Sequence, residues 1–426
     1  MLGRSKQKMH NYVSQIKSGS EYRRYPLTPL WELIRASGPA GYLLLIYPLL
    51  HILTLRQRDS SQYAAIDRSA LLQIFFVVVC FGHVLYVPLG TRRKMIKVIF
   101  KPPLIFLFTY IILCGFSTLW SANPLFTAYR TFECLTYLLL TILVCLNLSR
   151  SFSKQDMAEW IVLWAVWSLF CAIIMIVKLV GFGFLQSVSI FRVGSLVTAP
   201  IVFIALFISK RRLFSIVLLL FLLLSTVNKA YFGLAFGLFP GLVMGDSKAK
   251  KMFPFVLGLV LLSLLIFGLT TSLQKTLFYG KKGVGIEYTT GRDKMWTTAI
   301  EHGMKHPFRG YGFAAVERDT DVFGALATHN VFLSSFVGVG LLGPILMAFF
   351  FMSLFFSTFG VGIPISWRSG LIGTVIMAFT ISNAAPGLGS RVYGSWLSVV
   401  LVSTLIAVLA NSRNSTDSFL TRERCL

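Results

Sequence analysis

Three arginines and one histidine stand at or beyond the ends of the long apolar runs of this chain. They are Arg192 in SIFRVGSLVTAP, Arg292 in YTTGRDKMW, His329 in ATHNVFL and Arg391 in GLGSRVYGSW. A guanidinium presents a planar fork of donors and keeps its charge, which suits it to phosphate. Two or three of them could neutralise a departing pyrophosphate. A neutral imidazole can accept the proton of an attacking hydroxyl. His329 opens an apolar segment, where the positive end of a helix dipole disfavours imidazolium and attracts an anion. The chemistry this set suits is transfer from a diphosphate-linked donor to a hydroxyl.

Each residue also has a plainer reading. An arginine at the end of an apolar run is usually an anchor whose charge snorkels to the interface, and Arg192 and Arg391 fit that description. His329 and Asn330 could simply cap a helix, with Thr328 or Asn330 taking up free backbone N–H groups. Lys178 and Lys229 read as interfacial or inward-facing residues. Asp293, Glu301, Glu317, Asp319 and Asp321 read mostly as solvated acids, one or two of which could bind sugar hydroxyls. Tyr288, Trp296, Tyr311 and Phe313 could stack on sugar rings or pack the segment that contains them.

Long apolar elements must position these side chains. Of 426 residues 55% are apolar and 13% charged, and the mean hydropathy is +0.73. A soluble domain needs more polar surface than that. The expected fold is an all-α polytopic membrane protein, since the runs suit spanning helices of about 20 residues and the alternating strands of a porin are absent. Twelve runs can be marked: 39–55, 70–89, 102–118, 130–147, 158–180, 194–209, 212–226, 229–244, 253–271, 330–358, 367–385 and 392–410. With the N-terminus inside, 24 of the 40 Lys and Arg fall on the cytoplasmic side and 15 outside, eight of those in one long loop. That asymmetry obeys the positive-inside rule and supports an even number of spans. All four candidate residues then lie on the outer face.

The expected organisation is a basic cytoplasmic segment (1–38), helices one to nine (39–271), a long outer loop (272–329), helices ten to twelve (330–410) and a cytoplasmic tail (411–426). The first segment lacks the apolar core of a cleavable signal peptide. A loop of that length usually carries function. The net charge of +24 reads as a topological signal plus attraction to anionic lipid. No basic-aromatic repeat points to nucleic acid. Five of the six cysteines, Cys80, Cys114, Cys134, Cys145 and Cys171, fall in apolar runs and Cys425 in the tail. Without paired spacing they read as core residues.

From Gly291 to Gly343 the chain reads GRDKMWTTAIEHGMKHPFRGYGFAAV, then a gap, then THNVFLSSFVGVGLLG. This resembles the signature of the bacterial O-antigen ligase and polysaccharide polymerase superfamily: an arginine-tryptophan helix, a proline-glycine turn and a terminal HN before a glycine-bearing span. The matching positions are Arg292, Trp296, Pro307, Gly310, Gly312, His329, Asn330, Gly338, Gly340 and Gly343. Arg192-Val193-Gly194 looks like the family's upstream arginine motif. The close match covers about fifty residues and is topological elsewhere.

The resemblance implies a GT-C-like, metal-independent, inverting glycosyltransferase of the bacterial inner membrane. It would need no cofactor and would take a glycan from undecaprenyl diphosphate on the periplasmic face. Arg192 and Arg292 would contact the diphosphate. His329 would be the base or would orient the acceptor. Arg391 has no counterpart in the family pattern and rests on topology. Asn330, Trp296, Gly310 and Gly312 would support the site. For the glycines the structural reading is preferred: Gly310 and Gly312 for a tight turn or close backbone approach, and Gly338, Gly340 and Gly343 for close helix contact.

The acceptor divides the family. A polymerase joins one lipid-linked glycan to another, and the motif leans that way. The alternative is a ligase that transfers the glycan to lipid A core. A flippase and a chain-length regulator are candidate partner proteins. A reading from another class is transport of a lipid-linked glycan. It would call for pseudo-symmetric halves and polar residues at mid-membrane, and neither stands out.

Overall fold

The computed structural model describes residues 28–54, 68–179, 198–224, 228–244, 292–315, 330–383 and 394–411, with isolated positions between 247 and 258. Among these residues every regular element is helical. In chain order they are α1 (Leu30–Thr54), α2 (Arg68–Leu85), α3 (Leu89–Ile99), α4 (Leu104–Phe116), α5 (Pro124–Ser151) and α6 (Lys154–Leu179). There follow α7 (Thr198–Ile208), α8 (Arg212–Leu224), α9 (Asn228–Val243), α10 (Arg292–Lys305) and α11 (Val331–Val339). The last three are α12 (Leu342–Ser357), α13 (Ile365–Ser382) and α14 (Gly394–Asn411). A 3-10 turn, Ser117–Trp120, extends α4.

Among the described residues, five helices are long and apolar enough to cross a membrane, or six if the bent pair α3–α4 counts as one span. Eleven of the twelve apolar runs coincide with helices. The run 253–271 lies almost wholly outside the described residues. Leu72, Phe75, Val78 and Leu220 are exposed on the outside of the bundle, as side chains bathed by lipid would be.

Local sequence explains where helices begin, bend and meet. Ser153 and Asp156 form a reciprocal capping box at the start of α6. Ser153 Oγ donates to Asp156 Oδ2 at 2.7 Å, and Asp156 N donates to Ser153 Oγ at 3.3 Å, so each side chain answers the other's backbone or hydroxyl. In α1, Pro48 has no N–H for the carbonyl of Leu44. The buried Trp164 indole donates to that oxygen at 3.0 Å, and Trp167 donates to Leu45 O at 2.7 Å. Pro48 thus frees a carbonyl through which α6 is locked against α1. The backbones of α9 and α13 touch where two glycines face each other: a Cβ on Gly373 would lie 2.7 Å from Gly237 O, the small-residue contact expected of helices in lipid.

The 28 residues of α5 measure about 42 Å at 1.5 Å per residue, and polar contacts mark its two ends as different places. At the Ser151 end, Arg150 donates to Thr91 Oγ1 at 2.6 Å and Lys154 to Gly362 O at 2.7 Å. Glu159, 2% exposed, gathers the turn between α7 and α8 at this end. It accepts from Ser209 Oγ at 2.7 Å, Lys210 N at 2.6 Å and Gln155 Nε2 at 3.0 Å, with Arg211 3.7 Å away. Arg211 also donates to Thr28 O. The short basic connections 91–101 and 210–212 therefore share one end of the bundle. The residues around 310 share the other.

Candidate functional site

At the Pro124 end of α5, residues 307–313 form a non-helical strap of turns between two ledges. One ledge is the connection 117–127. The other is the C-terminus of α11. An α-helix leaves its last carbonyls without intrahelical donors, and the strap supplies them. Tyr311 N donates to Val337 O at 2.9 Å and Gly312 N to Gly338 O at 2.8 Å, while Leu341 N returns a bond to Pro307 O at 2.7 Å. On the other side, Ala122 N donates to Tyr311 O at 3.1 Å. The Trp120 indole donates to Arg309 O at 2.6 Å, the Thr127 hydroxyl to Phe313 O at 2.8 Å, and Phe313 N to Ser117 Oγ at 3.0 Å. Buried backbone groups need partners, and here they find them on segments nearly two hundred residues apart in sequence.

Only glycine permits this approach. Gly310 has φ +65, and a Cβ there would lie 2.6 Å from the carbonyl of Gly338. Gly312 has φ +102, and a Cβ would lie 2.7 Å from Ser121 Cα. Both glycines act as the sequence suggests, through turn geometry and close backbone contact. Gly340 does something else. With φ +76 it ends α11 after nine residues, so the apolar run 330–358 is two helices rather than one. A Cβ on Gly343 would lie 2.5 Å from Ser335 O, whereas eight residues of straight helix span about 12 Å. The chain turns back sharply at the break, and the strap lies across it.

The strap also seats α10. Ala299 and Val337 are buried against each other with Tyr311 packed on them, and Gly303 admits the Phe336 ring. Trp296, half-buried, continues that face one turn earlier. Arg292 is the first residue of α10, and its register repeats at Trp296, Ala299 and Gly303. Asn330 is the N-cap of α11: its Oδ1 accepts from Phe332 N at 2.9 Å and Leu333 N at 3.1 Å. The plain capping role holds for this residue, and it fixes the backbone immediately after His329. Arg192, His329 and Arg391 lie outside the described residues, as does the side chain of Arg292.

Several polar residues here escaped the sequence reading. Ser117, Trp120, Ser121 and Thr127 hold the strap. The one local signal, Asn123-Pro124, is a helix start: it opens α5 six residues before the expected boundary at 130 and does not reveal the contact with the strap. Below it, Arg130 donates to Glu133 Oε2 at 2.6 Å, with its guanidinium 5.1 Å from the Phe126 ring centre and 5.2 Å from that of Tyr129. An arginine and a glutamate three apart on one helix face in an apolar run were the available sign. His302 and His306 flank Tyr311 edge-on, with ring centres 6.2 and 4.9 Å away. Burial, helped by the neighbouring Lys305, lowers the pKa of His302, and burial raises that of Tyr311.

No protein-family profile matches this chain, and a comparison with curated proteins finds no match either.

Proposed function

We propose that this protein is a membrane glycosyltransferase with twelve spans, both termini in the cytoplasm and its site on the periplasmic face of a bacterial inner membrane. It takes a glycan from an undecaprenyl-diphosphate-linked donor and transfers it to a sugar hydroxyl. The preferred acceptor is a second lipid-linked glycan, which makes the enzyme a polysaccharide polymerase. The same site acting on lipid A core would make it an O-antigen ligase. One observation carries the reading. The strap 307–313 ties the helix that Arg292 opens and the capped helix that follows His329 to the same end of the bundle, using the glycines of the family-like pattern.

In the proposed reaction the acceptor hydroxyl attacks the anomeric carbon from the face opposite the diphosphate. His329 accepts its proton. The bond from the anomeric carbon to the diphosphate oxygen breaks, the configuration inverts, and undecaprenyl diphosphate leaves with the electron pair. Arg192 and Arg292, with Arg391, stabilise the charge that develops on the leaving group. Positive charge at a helix start favours an imidazole that is neutral beforehand.

His329→Ala should abolish transfer with expression and insertion unchanged, and full activity would remove the base assignment. Arg292→Lys should be severely impaired because lysine lacks the planar fork. Deletion of the gene distinguishes acceptors. Single repeats on lipid A core indicate a lost polymerase, and long glycan stranded on its carrier indicates a lost ligase. An unchanged glycan profile defeats both.

A further inference from the structure

The helix α3, LGTRRKMIKVI, has three faces. Thr91, Met95 and Ile99 are buried against the bundle. Leu89, Ile96 and, one residue past the helix, Phe100 are exposed, and at 100° per residue they fall within a narrow stripe. Arg93, Lys94 and Lys97 occupy the remaining arc and are exposed. Among the described residues none of these three cations has an acidic partner. Arg92 is committed elsewhere, donating to Val87 O at 2.8 Å and to Leu85 O, where it caps the end of α2. From Arg68 to Phe132 the sequence has no Asp or Glu at all.

The axis of α3 is turned 96° from that of α4 and its 3-10 extension. If α4 runs across the membrane, α3 lies along its surface. The alternative, that α3 is half of a broken span, would bury four cations in hydrocarbon, which membranes strongly disfavour. Its Thr91 contact with Arg150 sets it at the end of the bundle that carries the basic turns. An exposed apolar stripe beside a basic stripe is the arrangement of an interfacial helix, with apolar side chains dipping below the headgroups and cations level with the phosphates.

We propose that α3 is a docking site for anionic phospholipid headgroups. Leu89, Ile96 and Phe100 enter the acyl boundary while Arg93, Lys94 and Lys97 bind lipid phosphates. The inference needs only that the chain spans a bilayer, so it stands apart from the glycosyltransferase reading.

The test uses the full-length protein in bilayers of phosphatidylcholine with a minor fraction of phosphatidylglycerol, followed by gentle extraction and counting of bound lipid by mass spectrometry. Wild type should be enriched in phosphatidylglycerol. Each charge removed by Arg93→Gln, Lys94→Gln or Lys97→Gln should lower that enrichment about fivefold. The charge-retaining set Arg93→Lys, Lys94→Arg and Lys97→Arg should keep it, and Lys250→Gln with Lys251→Gln, elsewhere on the chain, should lower it less. Nitroxides introduced at Leu89 and Ile96 should be reached by oxygen from the lipid phase, and one at Lys97 by a water-soluble nickel complex. Equal enrichment in the triple glutamine variant overturns the proposal. So does equal loss in the control pair or the charge-retaining set, or aqueous access at Leu89 and Ile96, which would suit a protein partner.

Discussion

Gly310→Ala tests whether the strap, rather than the apolar bundle, holds the site together. The new Cβ costs about 1–2 kcal/mol merely for a left-handed conformation. It also meets the Gly338 carbonyl at 2.6 Å, and backbone, unlike a side-chain tip, cannot swing aside. Relief requires the strap to move off the ledge, lengthening the bonds from Tyr311 N and Gly312 N that now measure 2.9 and 2.8 Å. At about 1 kcal/mol net for each bond, the docked state loses about 3–4 kcal/mol, or more than two orders of magnitude in the docking equilibrium. Hydrogen exchange across residues 303–315 in detergent or nanodiscs should rise accordingly, and glycan transfer should fall with it. The amides of α5 and α6 should keep their protection. Gly82→Ala is the control, because a Cβ there meets nothing within 4 Å and alanine suits a helix interior better by about 0.5–1 kcal/mol. Wild-type protection of 303–315 in Gly310→Ala would refute the reasoning, as would a loss shared evenly by the whole bundle.

Asn330→Ala removes two capping bonds and should cost about 1 kcal/mol in thermal unfolding, while Asn330→Asp should be nearly neutral; equal losses would mean the cap is not what matters. Arg130→Met leaves the Glu133 carboxylate buried without its cation and should cost about 3–5 kcal/mol, most of it recovered when Glu133→Gln is added; strict additivity in that cycle would dismiss the pair. Glu159→Ala removes the acceptor for Ser209, Lys210 and Gln155, and should loosen the α7–α8 turn to proteolysis while Gly82→Ala leaves it intact. Because His302 titrates below its ordinary value when folded, the folded loop binds fewer protons than the unfolded one. Protection of 303–315 should therefore weaken as pH falls from neutrality through the ordinary histidine range, and His302→Gln should flatten that dependence.

Much of the bundle was legible because its physics is one-dimensional. Apolar runs long enough to bury a helix announce helices, and eleven of the twelve marked runs contain them. What the sequence could not show depends on pairings between distant segments. The run 330–358 is uniformly apolar, so nothing in its hydropathy reveals the break at Gly340. Only the strap, arriving from 26 residues upstream, gives the freed carbonyls of Val337 and Gly338 a use. Gly310 and Gly312 fit turn and close-approach positions in the sequence, and their φ values agree. Their partner surface, Ser121 and Gly338, was out of reach of any local pattern. Trp120 and Thr127 are silent in the sequence for the same reason, since an indole and a hydroxyl beside a short connection look like ordinary interface residues. Asn330, by contrast, announces its role in its own sequence, since an asparagine before an apolar run is a cap.

The strap also sets an order of events. Its hydrogen-bond partners lie on one side at residues 117–127 and on the other at 337–341, and the ribosome delivers these roughly two hundred residues apart. The strap itself emerges before its second ledge exists. Until Gly338 has been made and α11 has wound up behind Asn330, the amides of Tyr311 and Gly312 have only water to bond. The bundle around α5 and α6 can therefore assemble early, while the end that carries the proposed chemistry closes among the last events of biogenesis. A chain that stalls or is cut before Gly338 should fill the membrane with helices and still have no site.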